Sequence, residues 1–220
     1  MIEISPSLLP VAKEHMLSYA EEAIAAGITS LHLDIIDGKF VNQYGLPDDI
    51  VQTILEQYHD QIDIHVHLMV NDPLTFIKQP HYRHASKIYV HSQADKQYEY
   101  ILYKTILDIG CEPGIVINPN EAIDDRIDFN HFHAILLMGV VPGLSGQKIL
   151  PDTITRIKTL RQFLLKTQPS HKYHLTLDGG VTKSILFDLN NQIDCCVMGA
   201  AIFNVPNWIS ELKQLLITMK

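Results

Sequence analysis

The sequence is poor in cysteine, and this shortage already excludes some classes of protein. It has three cysteines, Cys111, Cys195 and Cys196, an odd number that cannot pair completely. The neighbouring Cys195 and Cys196 are poorly placed for a disulfide with each other, so we expect free thiols and a reducing compartment. The cysteines match no zinc spacing of the CxxC type, and we interpret them as small apolar residues near a core strand.

Basic residues and long apolar runs are also scarce. Lys and Arg number 17 against 25 Asp and Glu, which gives a formal net charge of −8. No basic stripe can neutralise phosphates, so we expect neither nucleic acid nor membrane as a partner. The longest apolar run, 134–141, is far shorter than the ~20 residues that span a bilayer. The opening MIEISPSLLP does not form a secretory signal, and we therefore expect a cytoplasmic protein.

What the sequence does contain is a regular alternation of apolar, β-branched runs with helical patterns. The composition, 46% hydrophobic and 19% charged, is that of a folded globular protein. Strands are predicted at 3–5, 30–35, 62–68, 87–91, 114–118, 134–138, 174–177 and 194–198. Helices are predicted at 11–26, 47–58, 73–78, 94–109, 121–127, 151–166, 182–189 and 206–218.

Eight such units in 220 residues leave 220/8 ≈ 27 residues for each, without a linker or low-complexity tract. Alternating strands and helices imply a parallel sheet, and eight units allow it to close. The sequence therefore predicts an α/β fold, a single-domain (β/α)8 TIM barrel over residues 1–220, with an open, doubly wound sheet as the alternative.

Histidine and aspartate lie at the ends of predicted strands, where barrel enzymes have their active sites. The two-residue strand period puts His32 and Asp34 on one face of the second strand, and His65 and His67 on one face of the third. The seventh strand ends at Asp178. Such groups are costly to bury unless a cation binds them, and two histidines with two carboxylates suit Zn, Fe(II), Mn or Co. We interpret His65, one pleat deeper than His67, as a packing residue, and the following as structural or solvated: His15, His59, His81, His84, His131, His171 and His174.

Glycines cluster after the last three strands, in the segments 142–146, 179–180 and at Gly199. Loops after the seventh and eighth strands form the usual phosphate site of this fold. Glycine lets backbone N–H groups approach phosphate oxygens closely, although glycines also simply form tight turns. Three clusters on adjacent strands favour a phosphate site.

Carboxylates on opposing strands around a metal favour proton transfer with two bases. One removes a proton next to a carbonyl, the metal stabilises the enediolate, and the other returns a proton to the opposite face. A single base would return the proton to the face it left. The residues therefore suggest a metal-assisted epimerase or isomerase that acts on a phosphorylated sugar.

Seven motifs carry a closer resemblance. They are ISPSLL (4–9), LHLDIIDGKFV (31–41), VHLM (66–69), GIVINP (114–119), LM with PGLSGQK (137–138 and 142–148), LDGGV (177–181) and GAAIF (199–203). With these motifs in order from residue 4 to residue 203, the sequence resembles the ribulose-phosphate 3-epimerase family. This implies a TIM-barrel isomerase of carbohydrate metabolism, in the pentose phosphate pathway, that converts D-ribulose 5-phosphate to D-xylulose 5-phosphate.

The resemblance also implies roles for particular residues. One divalent metal ion (Zn, Fe(II), Mn or Co) would be bound by His32, Asp34, His67 and Asp178. Asp34 and Asp178 would be the catalytic acid/base pair, with Asp34 taking the proton from C3. The segment 143–146 would close as a lid that excludes water. The implied substrate-binding residues are Ser7, His67, Met69, Met138, Gly143, Leu144, Ser145, Gly146, Gly179, Gly180, Gly199 and Ala200.

Several positions depart from the family pattern without removing a metal ligand or a catalytic carboxylate. Ile36 replaces a methionine, the segment 42–45 is short, Val141 replaces an asparagine, Leu144-Ser145 replaces Phe-Gly, and Ala200 replaces a serine. These changes leave open a 3-epimerase of a hexulose 6-phosphate such as allulose 6-phosphate.

Two further alternatives are weaker. A sugar-phosphate-binding barrel without catalysis would have no reason to keep four metal ligands. A decarboxylase or aldolase relative is disfavoured because no lysine stands beside Asp34. The resemblance also implies a homo-oligomer, since family members form dimers or hexamers.

Overall fold

Eight strands alternate with helices in the computed structural model, which describes residues 2–93, 95–189 and 192–219. The strands are β1 (Glu3–Pro6), β2 (Ser30–Ile36), β3 (Asp63–Met69), β4 (Lys87–His91), β5 (Glu112–Ile117), β6 (Ala134–Met138), β7 (His174–Asp178) and β8 (Cys195–Met198). All eight predicted strands are present, with ends that differ by a few residues.

The strands form one parallel sheet in the order β1-β8-β7-β6-β5-β4-β3-β2. Between the two ends of this order, a parallel bridge joins Ser7, just after β1, to His32 in β2. The sheet therefore curves into a nearly closed barrel, and the predicted (β/α)8 architecture is confirmed over the alternative of an open, doubly wound sheet.

The α-helices of the described residues are α1 (Met16–Ala26), α2 (Asp48–Tyr58), α3 (Pro73–Ile77), α4 (Lys96–Asp108), α5 (Thr153–Thr167), α6 (Lys183–Leu189), α7 (Ala200–Phe203) and α8 (Trp208–Thr218). Short 3-10 helices occupy Lys13–His15 and Pro80–His84. The predicted helix 94–109 begins at a residue outside the described ranges. The described part of it, α4, starts after Asp95, whose carboxylate accepts hydrogen bonds from the backbone N–H groups of Gln97 and Tyr98.

The predicted helix 121–127 was wrong, because this segment folds as a series of turns. The carboxylate of Asp124 accepts a hydrogen bond from the backbone N–H of Arg126, and that of Asp128 accepts one from the N–H of Asn130. The carboxylate of Glu121 accepts one from the N–H of Asn118. Such local bonds from acidic side chains compete with a helix, and a seven-residue apolar pattern is too short to overcome them.

The strands are buried on both faces, as expected for a parallel sheet covered by helices. Leu31, Leu33 and Ile35 pack in the layer between the barrel and its helices, as the alternation predicts. Inside the barrel, the phenol of Tyr89 lies 3.1 Å from Oγ1 of Thr176. A side chain at Gly114 would lie 2.3 Å from the Tyr89 ring. Tyr89 thus fills the interior beneath the polar strand ends.

Within the described ranges, no helix combines the length and the apolar character that a membrane crossing requires.

Candidate active site and metal centre

The four residues predicted to bind a metal come together at the carboxyl ends of three strands. His32 and Asp34 lie on β2, His67 on β3, and Asp178 is the last residue of β7. The register of β2 and β3 places His67 opposite Asp34. Each residue offers one ligand atom, and these atoms all lie within 4.8 Å of one another.

The donor atoms face each other in a site that is almost closed to solvent. Nδ1 of His67 lies 3.2 Å from Oδ1 of Asp34 and 3.4 Å from Oδ2 of Asp178. Nε2 of His32 lies 3.4 Å from Oδ1 of Asp34 and 3.9 Å from Oδ2 of Asp178. All four residues are buried. Two buried carboxylates require a compensating positive charge, because carboxylates lose their hydration inside a protein.

Burial and hydrogen bonding together indicate that this group of residues fits a divalent cation. Among the described residues, neither ring nitrogen of His32 has a hydrogen-bond partner, although both are buried. Leaving a buried polar atom unpaired is costly, and a metal ion bound by Nε2 would remove that cost. The mixed nitrogen and oxygen donor set suits Zn, Fe(II), Mn or Co better than Mg or Ca.

The pKa values of the site reflect its internal pairing. Burial works to raise the pKa of Asp34, but the adjacent imidazoles of His32 and His67 outweigh it and hold this pKa well below its usual range. Burial works to lower the pKa of His67, but hydrogen bonds to Asp178 and Asp34 raise it to about 9. The site therefore stabilises positive charge between its two carboxylates.

Ser7 supports one of these carboxylates directly. Its hydroxyl donates a 2.6 Å hydrogen bond to Oδ2 of Asp34, and both residues are buried. The bridge between Ser7 and His32 places Ser7 beside β2, the strand that carries Asp34. Short hydrogen bonds to a carboxylate are among the stronger ones in proteins, so Ser7 fixes the orientation of Asp34.

Sequence reasoning missed His91, the last residue of β4. Its Nε2 lies 3.0 Å from Nε2 of His67, and the two rings are stacked with centroids 5.1 Å apart. Burial and the neighbouring His67 hold the pKa of His91 well below its ordinary value, against an opposing effect of the Asn118 side chain. A single histidine at the end of a strand forms no sequence motif that would identify it as a site residue. Its contact with His67 becomes visible only when β3 and β4 are paired in the structure.

Above the four residues lies a cavity of about 290 Å³. Its wall includes both carboxylates and eleven of the twelve predicted substrate-binding positions: Ser7, Met69, Met138, Gly143, Leu144, Ser145, Gly146, Gly179, Gly180, Gly199 and Ala200. The exception is His67, which is fully buried and does not line the cavity. The prediction did not include Leu9, Val140, Gln147, Val181, Thr182, Val197 and Ala201, which also line it.

Glycine is required at the far side of the cavity by close backbone packing. At Gly180, where φ is +71°, a side chain would meet the backbone nitrogen of Ile149 at 2.4 Å. At Gly179, where φ is +97°, it would meet the side chain of Val140 at 2.3 Å. This packing holds the loop after β7 against the loop after β6, with its backbone at the cavity wall.

The loop after β6 also touches the loop after β2. A side chain at Gly143 would lie 2.8 Å from Val41, which shows how closely the two loops approach. The side-chain amide of Gln147 donates hydrogen bonds to the carbonyls of Val141 and Leu144, at 2.7 and 2.9 Å. These bonds close the segment on itself and leave the side chains of Val141 and Leu144 exposed at the rim.

Comparisons with known proteins give a consistent result. Residues 3–203 match the model of the ribulose-phosphate 3 epimerase family. Ribulose-phosphate 3-epimerase from Escherichia coli strain K12 is 28% identical over 219 residues, which cover 96% of this chain and 93% of that protein. The enzyme of the same name from Helicobacter pylori strain J99 is 29% identical over 206 residues (92% and 91%). The cytoplasmic isoform from Oryza sativa subsp. japonica is 26% identical over 206 residues (91% and 87%).

Solved structures at lower identity share the fold. The 3-hexulose-6-phosphate synthase of Salmonella typhimurium superposes with a TM-score of 0.71 at 13% identity, with full coverage of both chains. Phosphoribosyl anthranilate isomerase of Thermus thermophilus gives a TM-score of 0.69 at 11% identity, also with full coverage of both chains. At these identities the likeness concerns the barrel alone.

Proposed function

Because the chain belongs to the ribulose-phosphate 3-epimerase family of isomerases, we propose that it inverts C3 of D-ribulose 5-phosphate to give D-xylulose 5-phosphate. The observation that carries this proposal is the placement of Asp34 and Asp178. Their carboxylates come from separate strands, lie in one buried group with His32 and His67, and border the same cavity.

The two carboxylates divide the proton transfer between them. Asp34 removes the proton from C3 on one face of the substrate, and Asp178 delivers a proton to the other face. Two bases are needed because one base would return the proton to the face it left, and C3 would keep its configuration. An aspartate is ionised at neutral pH, so Asp34 has a lone pair available to accept this proton.

His32, Asp34, His67 and Asp178 would hold one divalent ion. When bound, such an ion supplies positive charge that stabilises the negative charge developing on the substrate oxygens. The chain itself orients the groups around it, because Ser7 fixes Asp34 by its hydroxyl and His91 contacts His67. The set of donors does not distinguish among Zn, Fe(II), Mn and Co.

The substrate phosphate would bind at the opposite end of the cavity. Gly179 and Gly180 border it after β7, and Gly199 and Ala200 border it after β8. Backbone N–H groups of such loops bind phosphate without a cationic side chain. Ala200 offers its backbone N–H but no hydroxyl. The segment 143–146 would cover the bound sugar and exclude water that could scatter the proton.

A cytoplasmic location and self-association belong to the same proposal. The relative from Oryza sativa is named as a cytoplasmic isoform. The large apolar side chains of Leu165, Phe187 and Ile217 are exposed on the helical surface, and exposed apolar side chains of this kind favour contacts between copies of a chain. Light scattering of the purified protein measures the oligomeric state directly, and a mass of one chain would contradict self-association.

Proton NMR in D₂O tests the epimerase proposal. D-ribulose 5-phosphate is incubated with protein that has been stripped with a chelator and then reloaded with Mn(II) or Zn(II). We expect metal-dependent formation of D-xylulose 5-phosphate with deuterium at C3. Asp34→Asn and Asp178→Asn should lose turnover, whereas Asp63→Asn, which changes an exposed carboxylate at the other end of β3, should keep it.

The same experiment with D-allulose 6-phosphate addresses the substrate. Turnover of the hexulose phosphate but not of the pentulose phosphate would contradict the pentulose assignment. It would still agree with two-base proton transfer by Asp34 and Asp178. Metal binding without deuterium exchange in either sugar would contradict an epimerase and favour a sugar-phosphate-binding barrel.

A further inference from the structure

We propose that His91 is a positioning residue that accepts a hydrogen bond from the imidazole of His67 and so keeps Nδ1 of His67 directed at the metal site. The inference rests on the proposed function, because it assigns a role to His91 toward the ion that His32, Asp34, His67 and Asp178 would hold. It concerns a residue outside that group of ligands.

The two nitrogens of the His67 ring point in opposite directions. Nδ1 points toward the carboxylates of Asp34 and Asp178, at 3.2 and 3.4 Å. Nε2 points the other way, toward Nε2 of His91 at 3.0 Å. Only Nδ1 can therefore meet an ion held between the carboxylates.

The number of protons then decides the direction of the hydrogen bond. A neutral imidazole carries one N–H, and the nitrogen that binds a metal must present its lone pair. If Nδ1 of His67 binds the ion, its proton is on Nε2. Two ring nitrogens 3.0 Å apart cannot both carry a proton without repulsion, so Nε2 of His91 must be the acceptor. The N–H group that most metal-binding histidines donate to a carboxylate or carbonyl is donated here to a second histidine.

The surroundings of His91 hold it in place for this contact. It is the last residue of β4, and its neighbours on β4 pair with β3 in a fixed register. The ring of Phe40 lies over it with centroids 4.6 Å apart. The side chain of Gln93 donates a hydrogen bond to its carbonyl at 2.6 Å. His91 is therefore anchored from its backbone and from one ring face.

His65 provides the contrast within the same barrel. It lies on β3 two residues before His67 and is also fully buried. Among the described residues, its ring nitrogens have no hydrogen-bond partner. A buried histidine without a bond to a ligand should be replaceable without effect on the metal site, so His65 is a matched control for His91.

Nuclear magnetic resonance of the zinc-loaded protein labelled with ¹⁵N-histidine tests the hydrogen bond directly. We expect a ¹⁵N–¹⁵N coupling between Nε2 of His67 and Nε2 of His91, with the proton covalently bound to His67 and protected from exchange with water. If the protein binds zinc but shows no such coupling, or if the proton is bound to His91, the proposal is wrong. This measurement uses the wild-type protein, so it does not depend on the folding of a variant.

Metal affinity provides a second readout that does not depend on turnover. In competition with a chelator, His91→Phe should weaken zinc binding by about 10- to 100-fold, because Phe keeps the ring but cannot accept the hydrogen bond. His91→Gln, whose amide oxygen can accept it, should recover most of the affinity, and His65→Phe should match the wild type. Equal zinc affinities of His91→Phe and His65→Phe would overturn the proposed role of His91 but not the proposed metal-dependent function. A wild-type protein that binds no zinc would overturn both this proposal and the metal-dependent function.

Discussion

Residues of one type have different roles in this barrel, and their hydrogen-bond partners separate those roles. His32, His65, His67 and His91 are all buried inside it. Nδ1 of His67 lies within 3.4 Å of both carboxylates, and its Nε2 lies 3.0 Å from His91. The ring nitrogens of His65, in contrast, have no hydrogen-bond partner among the described residues. Sequence position could separate His65 from His67, because the two side chains share one face of β3 and His65 lies one pleat deeper in the barrel.

Ser7 and Ser30 are both buried serines, but they differ in their hydrogen bonding. Ser7 donates a hydrogen bond to the buried carboxylate of Asp34. Ser7→Ala should lower the free energy of unfolding of the metal-free protein by about 2 kcal/mol, the typical contribution of a hydrogen bond to a charged group. It should also slow epimerisation about tenfold, which corresponds to a loss of about 1.4 kcal/mol in transition-state stabilisation. Urea unfolding and the NMR exchange assay measure the two effects.

Ser30→Ala is the control for this prediction. Ser30 is also buried, but no described residue forms a hydrogen bond with its hydroxyl. Removal of an unpaired buried hydroxyl should leave the free energy of unfolding unchanged or raise it by up to about 1 kcal/mol. Equal destabilisation by the two substitutions would mean that loss of packing, rather than the bond to Asp34, explains the Ser7 result.

The sequence alone predicts those site residues that follow a strand pattern. His32 and Asp34 alternate on β2, and Asp178 precedes two glycines, so their types and spacing identify them. The contact between His91 and His67 depends on how β3 and β4 pair, and no local pattern records that register. Likewise, Leu9, Val140 and Gln147 border the cavity because loops from distant parts of the chain meet there.

At the scale of elements, the loop after β2 depends on a single carboxylate. Oδ1 of Asp37 accepts hydrogen bonds from the backbone N–H groups of Lys39 and Phe40, and Oδ2 accepts one from the N–H of Asn71. Asn71 lies just after β3, so Asp37 joins the loops that follow two neighbouring strands. This loop contains Val41, which packs against Gly143 at the cavity rim.

The pH dependence of stability tests the role of Asp37. Burial works to raise its pKa, but the N–H groups of Phe40, Asn71 and Lys39 outweigh it and place the pKa below its ordinary value. Folding therefore favours the ionised carboxylate, whose contribution is fully present above pH about 4 and is lost as the pH falls through the lower pKa of the folded state. Asp37→Asn should lower the free energy of unfolding at pH 7 by about 1 kcal/mol.

The measurement is urea unfolding of both proteins at a series of pH values. The difference between Asp37→Asn and the wild type should be constant between pH 5 and 7, both of which lie above the ordinary aspartate pKa of about 3.9. It should shrink below pH about 4, because the wild-type carboxyl becomes protonated there. A difference that does not change with pH would show that the carboxylate charge plays no part.

The segment 121–127 marks the limit of prediction at this scale. Its apolar spacing resembles a short helix, but the side chains of Glu121, Asp124 and Asp128 bind nearby backbone N–H groups instead. For the longer helices, such as α2 and α5, many apolar contacts agree with the local pattern. Prediction succeeded where tertiary packing reinforced the local preference and failed where side chains competed for the backbone.

At the scale of the whole molecule, the buried site links metal binding to the stability of the barrel. The ligands come from β2, β3 and β7, so an ion that binds them joins strands that are distant in sequence and binds only the folded chain. At a free concentration 100 times its dissociation constant, it should stabilise the fold by about 2.7 kcal/mol. For a chain of this size, that corresponds to an increase in Tm of about 5–10 °C.

Thermal unfolding with Mn(II) and after chelation measures this shift. Asp178→Asn should lose most of it, because one of the two carboxylates that balance the ion is gone, while Asp63→Asn should keep it. Without metal, the Asp178→Asn protein should differ in stability from the wild type by less than this shift. The substitution removes one of two buried carboxylates and so also removes the repulsion between them. A shift of equal size in Asp178→Asn and the wild type would place the stabilising ion elsewhere on the molecule.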